Sequence, residues 1–176
     1  MYRLGPDDGT LSVRTKRTGA AAKAGHNLLI HVTSWEATIE LGEETSIVLE
    51  ADGGSLRVRE GTGGMQALQD EDRANIEQTI DDEVLEGQPI TFRSSAVEPA
   101  GDAAGLSVHG ELTLLGATRP LTFDVAMTAH GELRAVAVVK QTDWGMKPYS
   151  GLFGALKVVD EVEVGIEATL PPPQSL

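Results

Sequence analysis

Apolar and polar side chains alternate with a period of two along most of the chain. The clearest block is residues 106–114, where Leu106, Val108, Leu112 and Leu114 share one face and polar residues dominate the other. Successive side chains of a β-strand point to opposite faces of a sheet. The alternation therefore predicts half-buried antiparallel strands that turn one face towards an apolar interior.

Turn signals separate these strands. The segment Gly116–Pro120 predicts a turn between the block above and a similar one that follows it, and His130–Gly131 predicts the next turn. Residues 133–141 are mainly apolar or small, which indicates a strand covered on both faces. The last strand is expected over residues 158–170, with Asp160 interrupting its apolar face near the start.

Shorter alternating segments predict further strands. They are residues 10–15, 28–34, 36–41, 46–51, 55–59 and 89–97. A chain with about eight or nine short strands separated by turns is typical of an all-β sandwich or barrel.

One segment breaks this pattern and predicts a single amphipathic helix over residues 71–86. Its apolar residues recur at every fourth position: Ile76, Ile80 and Val84. Acidic residues crowd its beginning, where Asp70 or Asp72 is expected to be the N-cap. Gly87 is expected to end the helix.

Charge limits the partners of this chain. Its 176 residues suit one domain, and its net charge is −13. Residues 1–35 carry five basic and two acidic side chains, whereas the remainder carries nine basic and 25 acidic ones. A surface this acidic repels a phosphate backbone, which excludes general nucleic-acid binding. It also disfavours flat docking on an anionic bilayer, except through the basic N-terminal stretch.

Other chemistry is limited by composition. The absence of cysteine excludes disulfides, thiolate nucleophiles and cysteine-based zinc sites. The histidines (His26, His31, His109 and His130) do not have the spacing of a metal motif, and the sequence contains no nucleophile motif. We therefore expect no catalytic residue, metal or cofactor. The N-terminus shows no signal segment and no apolar run could span a bilayer, so we expect a soluble, cytoplasmic protein.

Two segments are candidates for ligand contacts. The basic stretch from Arg14 to Arg17, extended by Lys23, is either a solvated strand end or a phosphate contact at a barrel mouth. Residues 144–154 concentrate aromatic side chains and glycines in a loop, which either forms a ligand portal or plugs one end of the core. Aromatic residues make up only 4% of the chain, so any cavity wall must be mainly aliphatic.

Several segments resemble the YceI family. Gly110–Pro120 resembles its Gly-x-Leu-Thr-x-x-Gly-x-Thr-Lys/Arg-Pro segment, and Ile90–Ser94 resembles its Ile-x-Phe-x-Ser strand. Thr142–Met146 is similar to its Asp-Phe-Gly-Ile segment, and Asp160–Val164 to its Asp-x-Val-x-Ile strand. The order and spacing of these segments also agree, and the resemblance covers roughly residues 10–170.

The resemblance implies an all-β fold, an extended antiparallel lipocalin-like β-barrel of about eight strands with one amphipathic helix. It also implies binding of a long apolar lipid, a polyisoprenoid or isoprenoid quinone, and a possible homodimer. Gly25–Leu28 resembles an Ala-Gly-His-x-Leu variant of the family, which makes His26 a candidate functional residue. The barrel domain is expected over residues 1–170, followed by a proline-rich tail over 171–176.

Twelve residues are expected to bind the lipid: Ile90, Phe92, Leu106, Val108, Leu112, Leu114, Phe123, Val125, Trp144, Phe153, Val164 and Ile166. The head-group candidates are Arg14, Arg17 and His26. Two other functions remain open, because fold alone does not settle function. One is a packed barrel with a structural or stress-response role and no ligand. The other is a small enzyme that uses His26 or His109 with a carboxylate.

Overall fold

The computed structural model describes residues 1–101 and 105–172 of the chain. The predicted tail over 171–176 therefore lies outside the described residues from position 173 onwards. The first seven strands are β1 (Tyr2–Leu4), β2 (Gly9–Thr15), β3 (Arg17–Thr18), β4 (Asn27–Val32), β5 (Trp35–Glu40), β6 (Ser46–Ala51) and β7 (Leu56–Thr62). After helix α1 (Asp70–Thr79) come β8 (Ile90–Pro99), β9 (Gly105–Leu114), β10 (Ala117–Met127), β11 (Glu132–Lys140), β12 (Ser150–Gly151), β13 (Leu156–Val158) and β14 (Glu161–Thr169).

Eleven of these strands form one curled antiparallel sheet in the order β1-β5-β6-β8-β9-β10-β11-β14-β2-β4-β7. The pairs β5-β6 and β4-β7, near opposite ends of this order, are the halves of one bent hairpin, because β5 directly follows β4 in the chain and β7 follows β6. Thr33 N donates to Ser55 O, and Asp52 N donates to Ser34 O, each at 3.0 Å across the bend. The sheet therefore curves into a half-barrel with its apolar face inside, which confirms the predicted lipocalin-like all-β fold.

The turn between β9 and β10 is shorter than the sequence indicated. Leu115 and Gly116 alone form it, both with positive φ (48° and 73°), as a two-residue hairpin turn requires. The predicted turn over Gly116–Pro120 is wrong beyond its first residue, because β10 pairs with β9 from Ala117 onwards. Proline is tolerated in this strand since β10 pairs with β11, within the described residues, only through Val125–Met127.

Strand β11 is covered on one face only, so the prediction of two covered faces is wrong. Ala135, Ala137 and Val139 are buried on the concave side, whereas Val136 and Val138 are about half exposed (54% and 53%) on the convex side. Aliphatic residues on the convex face hid the alternation from a reading of the sequence.

The C-terminal strand begins later than predicted. Residues 156–158 belong to a separate three-stranded sheet, in the order β12-β13-β3, and β14 starts only at Glu161. Asp160 separates the two strands because its carboxylate turns to Thr142, accepting hydrogen bonds from N (2.9 Å) and Oγ1 (2.5 Å).

The predicted helix is present, with a different cap. Helix α1 continues as a π-helical segment, Ile80–Val84, and Gly87 follows with a φ of 61°. Neither Asp70 nor Asp72 is the N-cap. Gln69 holds that position, and its N–H donates to the Asp72 carboxylate at 2.9 Å, which is half of a capping box.

The helix also contacts edge strand β7. The Glu77 carboxylate accepts a hydrogen bond from Val58 N at 2.8 Å, so the helix provides an acceptor for a backbone N–H of this strand. Among the described residues no helix is long and apolar enough to cross a membrane.

The hydroxyl of Thr15 provides a test of the packing at the end of β2. Its Oγ1 is buried and has no hydrogen-bond partner among the described residues. Replacement by valine keeps the shape and removes an unsatisfied polar group. We expect Thr15→Val to raise the free energy of unfolding by about 1 kcal/mol, measured by urea denaturation.

Thr33 is the matched control, because its Oγ1 donates to Ser55 O at 2.8 Å. Thr33→Val is expected to lower the free energy of unfolding by about 1 kcal/mol. Equal changes in the two variants would contradict the assignment of Thr15 as unsatisfied.

Candidate functional site

The concave face of the half-barrel encloses a cavity of about 930 Å³. Side chains from the sheet and from helix α1 form its wall, and most are aliphatic. Nine of the predicted lipid contacts line it: Ile90, Phe92, Leu106, Leu112, Leu114, Phe123, Val125, Val164 and Ile166. The volume is at the upper end of the range of small-molecule sites, so the interior is hollow enough to hold a ligand.

Three predicted contacts lie elsewhere. Val108 is completely buried among core side chains and does not line the cavity. Trp144 is also buried, and its Nε1 donates to Leu112 O at 2.8 Å, which ties the loop to the middle of the sheet. Phe153 is fully exposed to solvent. The aromatic loop therefore divides into a core plug at its start and an exposed tip further on.

Small residues explain why the interior is hollow. The cavity wall includes Ala37, Ala51, Ala135 and Ala137, none of which the sequence reading selected. The side chains of alanine are too short to meet across a curved sheet, so the interior cannot fill to normal packing density around them. The signal was available in β11, where two of these alanines alternate with Val136.

Helix α1, the π-helical segment that continues it, and strands β5 and β6 also contribute wall residues that were not predicted. They include Ile39, Ile47, Leu49, Ile76, Ile80 and Val84. The spacing of four residues between these helical side chains predicts an apolar helix face, but it does not show that this face borders a cavity. Two aromatic rings pack within the wall, since the centroids of Phe92 and Phe123 lie 5.2 Å apart.

Polar groups gather at one part of the cavity rim, hereafter the portal, formed by Arg17, His26 and Gln66. The Arg17 guanidinium donates to the Gly25 carbonyl, and the backbone N of Arg17 donates to Asn27 Oδ1 at 3.0 Å. His26 Nε2 lies 2.7 Å from Gln66 O. Two head-group candidates are thus brought together at the portal.

The third head-group candidate is not at the portal. Arg14 lies opposite Glu163 in the pairing of β2 with β14, and it does not line the cavity. The glycine-rich loop that follows β7 packs against the other two. A Cβ at Gly63 would collide with the Arg17 guanidinium, and one at Gly64 with the His26 ring, and both glycines have positive φ. Glycine is therefore required there by close approach as well as by backbone conformation.

The other histidines lie outside the cavity. His109 Nδ1 is 3.1 Å from Thr122 Oγ1 on an exposed face. Burial, with smaller contributions from Arg59 and Arg14, lowers the pKa of His31, although nearby Glu60 opposes this. Over residues 1–101 and 105–172, no three acidic or histidine side chains form a group that could hold a metal ion.

Asp160 fixes the loop that holds Trp144. The hydrogen bond from the Thr142 hydroxyl is the largest cause of the lowered pKa of this carboxyl. Burial opposes it, and the Thr142 N–H and the charge of Lys140 add smaller lowering contributions. The deprotonated form is therefore preferred in the folded state. Its contribution to stability is present above the unfolded-state pKa and is lost as the pH falls through the lower folded-state pKa.

We expect Asp160→Asn to lower the thermal midpoint at neutral pH, because an amide provides a weaker acceptor for both Thr142 groups. The difference in midpoint between wild type and variant should shrink as the pH falls below about 4. Calorimetry across this pH range checks the expectation. A difference that stays constant with pH would show that Asp160 does not act through its charge.

Comparisons with known proteins agree with this architecture. A family model described as a YceI-like domain matches residues 11–170. The crystal structure of BcnA from Burkholderia cenocepacia superposes with a TM-score of 0.66 at 18% identity, covering 90% of this chain and 94% of that one. A mutant CJ YceI protein with a monobromobimane guest gives a TM-score of 0.55 at 14% identity, covering 82% of this chain and 85% of that one. No curated protein sequence matches the chain.

Proposed function

The chain belongs to the YceI-like family, and from this premise we propose that it binds one long apolar lipid, a polyisoprenoid or isoprenoid quinone, inside the half-barrel. The observation that carries the proposal is the cavity of about 930 Å³ with its mainly aliphatic wall. A ligand-free structural barrel would need side chains that fill this space.

The wall suits a branched hydrocarbon chain. Each buried CH₂ group contributes roughly 0.8 kcal/mol, so one five-carbon isoprene unit contributes a few kcal/mol before entropic costs. Several units therefore bind without a strong polar anchor. Aliphatic wall groups such as Leu133, Val164 and Ile166 adapt to a flexible chain of this kind.

The portal supplies the polar part of the proposed site. One guanidinium N–H of Arg17 is used by Gly25 O, which leaves other donors for a phosphate or a quinone carbonyl. His26 lies on the same rim. We therefore assign the head group to Arg17 and His26 and leave Arg14 out of the proposed site. The family consists in general of binding proteins, and no residue is assigned a catalytic role in this proposal.

Titration with two quinones that share one head group tests the proposal. One carries a long isoprenoid chain and the other a single isoprene unit, and calorimetry reports both affinities. Because the wall provides most of the binding energy, we expect the long-chain quinone to bind at least about 100-fold more tightly. Absence of binding, or equal affinities for the two quinones, would overturn the proposed function.

The homodimer and the cytoplasmic location remain predictions. A measurement of the mass in solution checks the homodimer.

A further inference from the structure

Charge is distributed very unevenly around the portal. We define the portal flap as residues 16–26 and 146–159, which include β3, β12 and β13. It carries Lys16, Arg17, Lys23, Lys147 and Lys157, and its sequence contains no aspartate or glutamate. The rest of the chain holds nine basic and 27 acidic side chains, a net charge of −18 against +5 for the flap.

The hairpin between β12 and β13 carries an exposed apolar tip, formed by Leu152 and Phe153. Leu152 is 56% exposed and Phe153 fully exposed. Both have positive φ, 49° and 55°, which is unfavourable for residues with a side chain. The hairpin thus holds two large apolar side chains in a strained conformation where they gain little burial within the chain.

The tip is connected directly to the cavity rim. Ala21 N donates to Ala155 O at 2.8 Å, and the Gly25 backbone packs against the Leu156 side chain. Leu156 and Lys157 both line the cavity. The hairpin that carries the apolar tip is therefore joined to residues of the cavity wall, and two basic residues of the flap, Arg17 and Lys157, line the cavity themselves.

We propose that the portal flap docks on an anionic lipid bilayer, with Leu152 and Phe153 entering the acyl boundary and the lysines contacting phosphate groups. Apolar side chains next to basic ones are the combination that binds such an interface. The strongly acidic remainder of the protein is repelled by the same surface, which fixes the orientation with the portal towards the membrane. The purpose of docking, direct exchange of the lipid, rests on the proposed function, but the docking itself does not.

Co-sedimentation with vesicles tests the proposal. Wild type should bind vesicles that contain phosphatidylcholine and phosphatidylglycerol, and should bind pure phosphatidylcholine vesicles at least about tenfold more weakly. Phe153→Ser should weaken binding to the anionic vesicles by roughly tenfold, because it removes the largest inserting side chain. Lys23→Gln combined with Lys147→Gln should also weaken it, and high salt should weaken wild-type binding.

Two control variants match these changes away from the flap. Val136→Ser removes an exposed apolar side chain from the convex face, and Lys140→Gln removes the remaining lysine of the sequence. Both should bind anionic vesicles as wild type does. Circular dichroism verifies that every variant is folded.

Either of two results would overturn the docking. The first is that wild type binds anionic and pure phosphatidylcholine vesicles equally well. The second is that folded Phe153→Ser binds anionic vesicles as tightly as Val136→Ser does. If the tip only mediated self-association, the first result would be observed. The solution mass of Phe153→Ser would then also be lower than that of wild type. Docking without any uptake of quinone in the titration above would leave this inference standing and overturn the proposed function.

Discussion

Replacing both Ala135 and Ala137 with phenylalanine is expected to abolish binding of a long-chain isoprenoid while leaving the protein folded. Both alanines line the cavity from adjacent inward positions of β11. Two benzyl groups there would occupy the space of about one isoprene unit or more. The loss of that unit costs a few kcal/mol, so we expect the affinity to fall by at least roughly 100-fold. The free energy of unfolding should be unchanged or higher, because the new rings enter empty space.

Val136→Phe is the matched control. Val136 lies between the two alanines on the same strand, but its side chain is on the convex face. The same aromatic group at this position should leave the affinity for the lipid within about twofold of wild type, since it does not reach the cavity. If the double variant bound the lipid as Val136→Phe does, the lipid would not occupy this cavity.

Removal of the Trp144 side chain is expected to cause the largest loss of stability. Trp144 is buried, and Trp144→Ala both opens a cavity and leaves the Leu112 carbonyl without its indole donor. Truncation of a buried tryptophan typically costs about 3–5 kcal/mol in the free energy of unfolding. Urea denaturation, followed by circular dichroism, measures this value.

Trp144→Phe separates the loss of packing from the loss of the hydrogen bond as causes of the lower stability. It keeps an aromatic ring in the core and loses the hydrogen bond to Leu112 O, so a smaller loss of about 1–2 kcal/mol is expected. A change below about 1 kcal/mol in Trp144→Ala would contradict the description of Trp144 as a core plug. In that case the loop would be anchored mainly through the contacts of Asp160 with Thr142.

The strands could be predicted wherever one covered face produced a regular alternation. β6 has the predicted bounds, Ser46–Ala51, and β9 presents most of its predicted apolar face to the interior. Prediction was less accurate where the alternation was masked, as by Val136 and Val138 in β11. β1 was missed because a three-residue strand has too few positions to show a period, and its pairing with β5 joins distant parts of the chain.

The cavity wall was predictable in part, for a physical reason. Alternation shows which side chains point inwards, but not whether opposing side chains meet. Leu112 and Val108 share a face of β9, yet only Leu112 reaches the cavity. The hollow depends on small residues such as Ala37, which come from strands far apart in sequence. The exposed position of Phe153 depends on a strained hairpin, and local patterning does not specify such a conformation.

Extraction of the purified protein with organic solvent, followed by mass spectrometry of the extract, tests the central claim most directly. The protein is first incubated with a long-chain isoprenoid quinone and separated from excess lipid, alongside the variant with phenylalanine at both cavity alanines. We predict close to one quinone per protein molecule for wild type and almost none for the variant. Wild-type protein that yields no quinone, or that yields as much as the variant, would contradict binding inside the half-barrel.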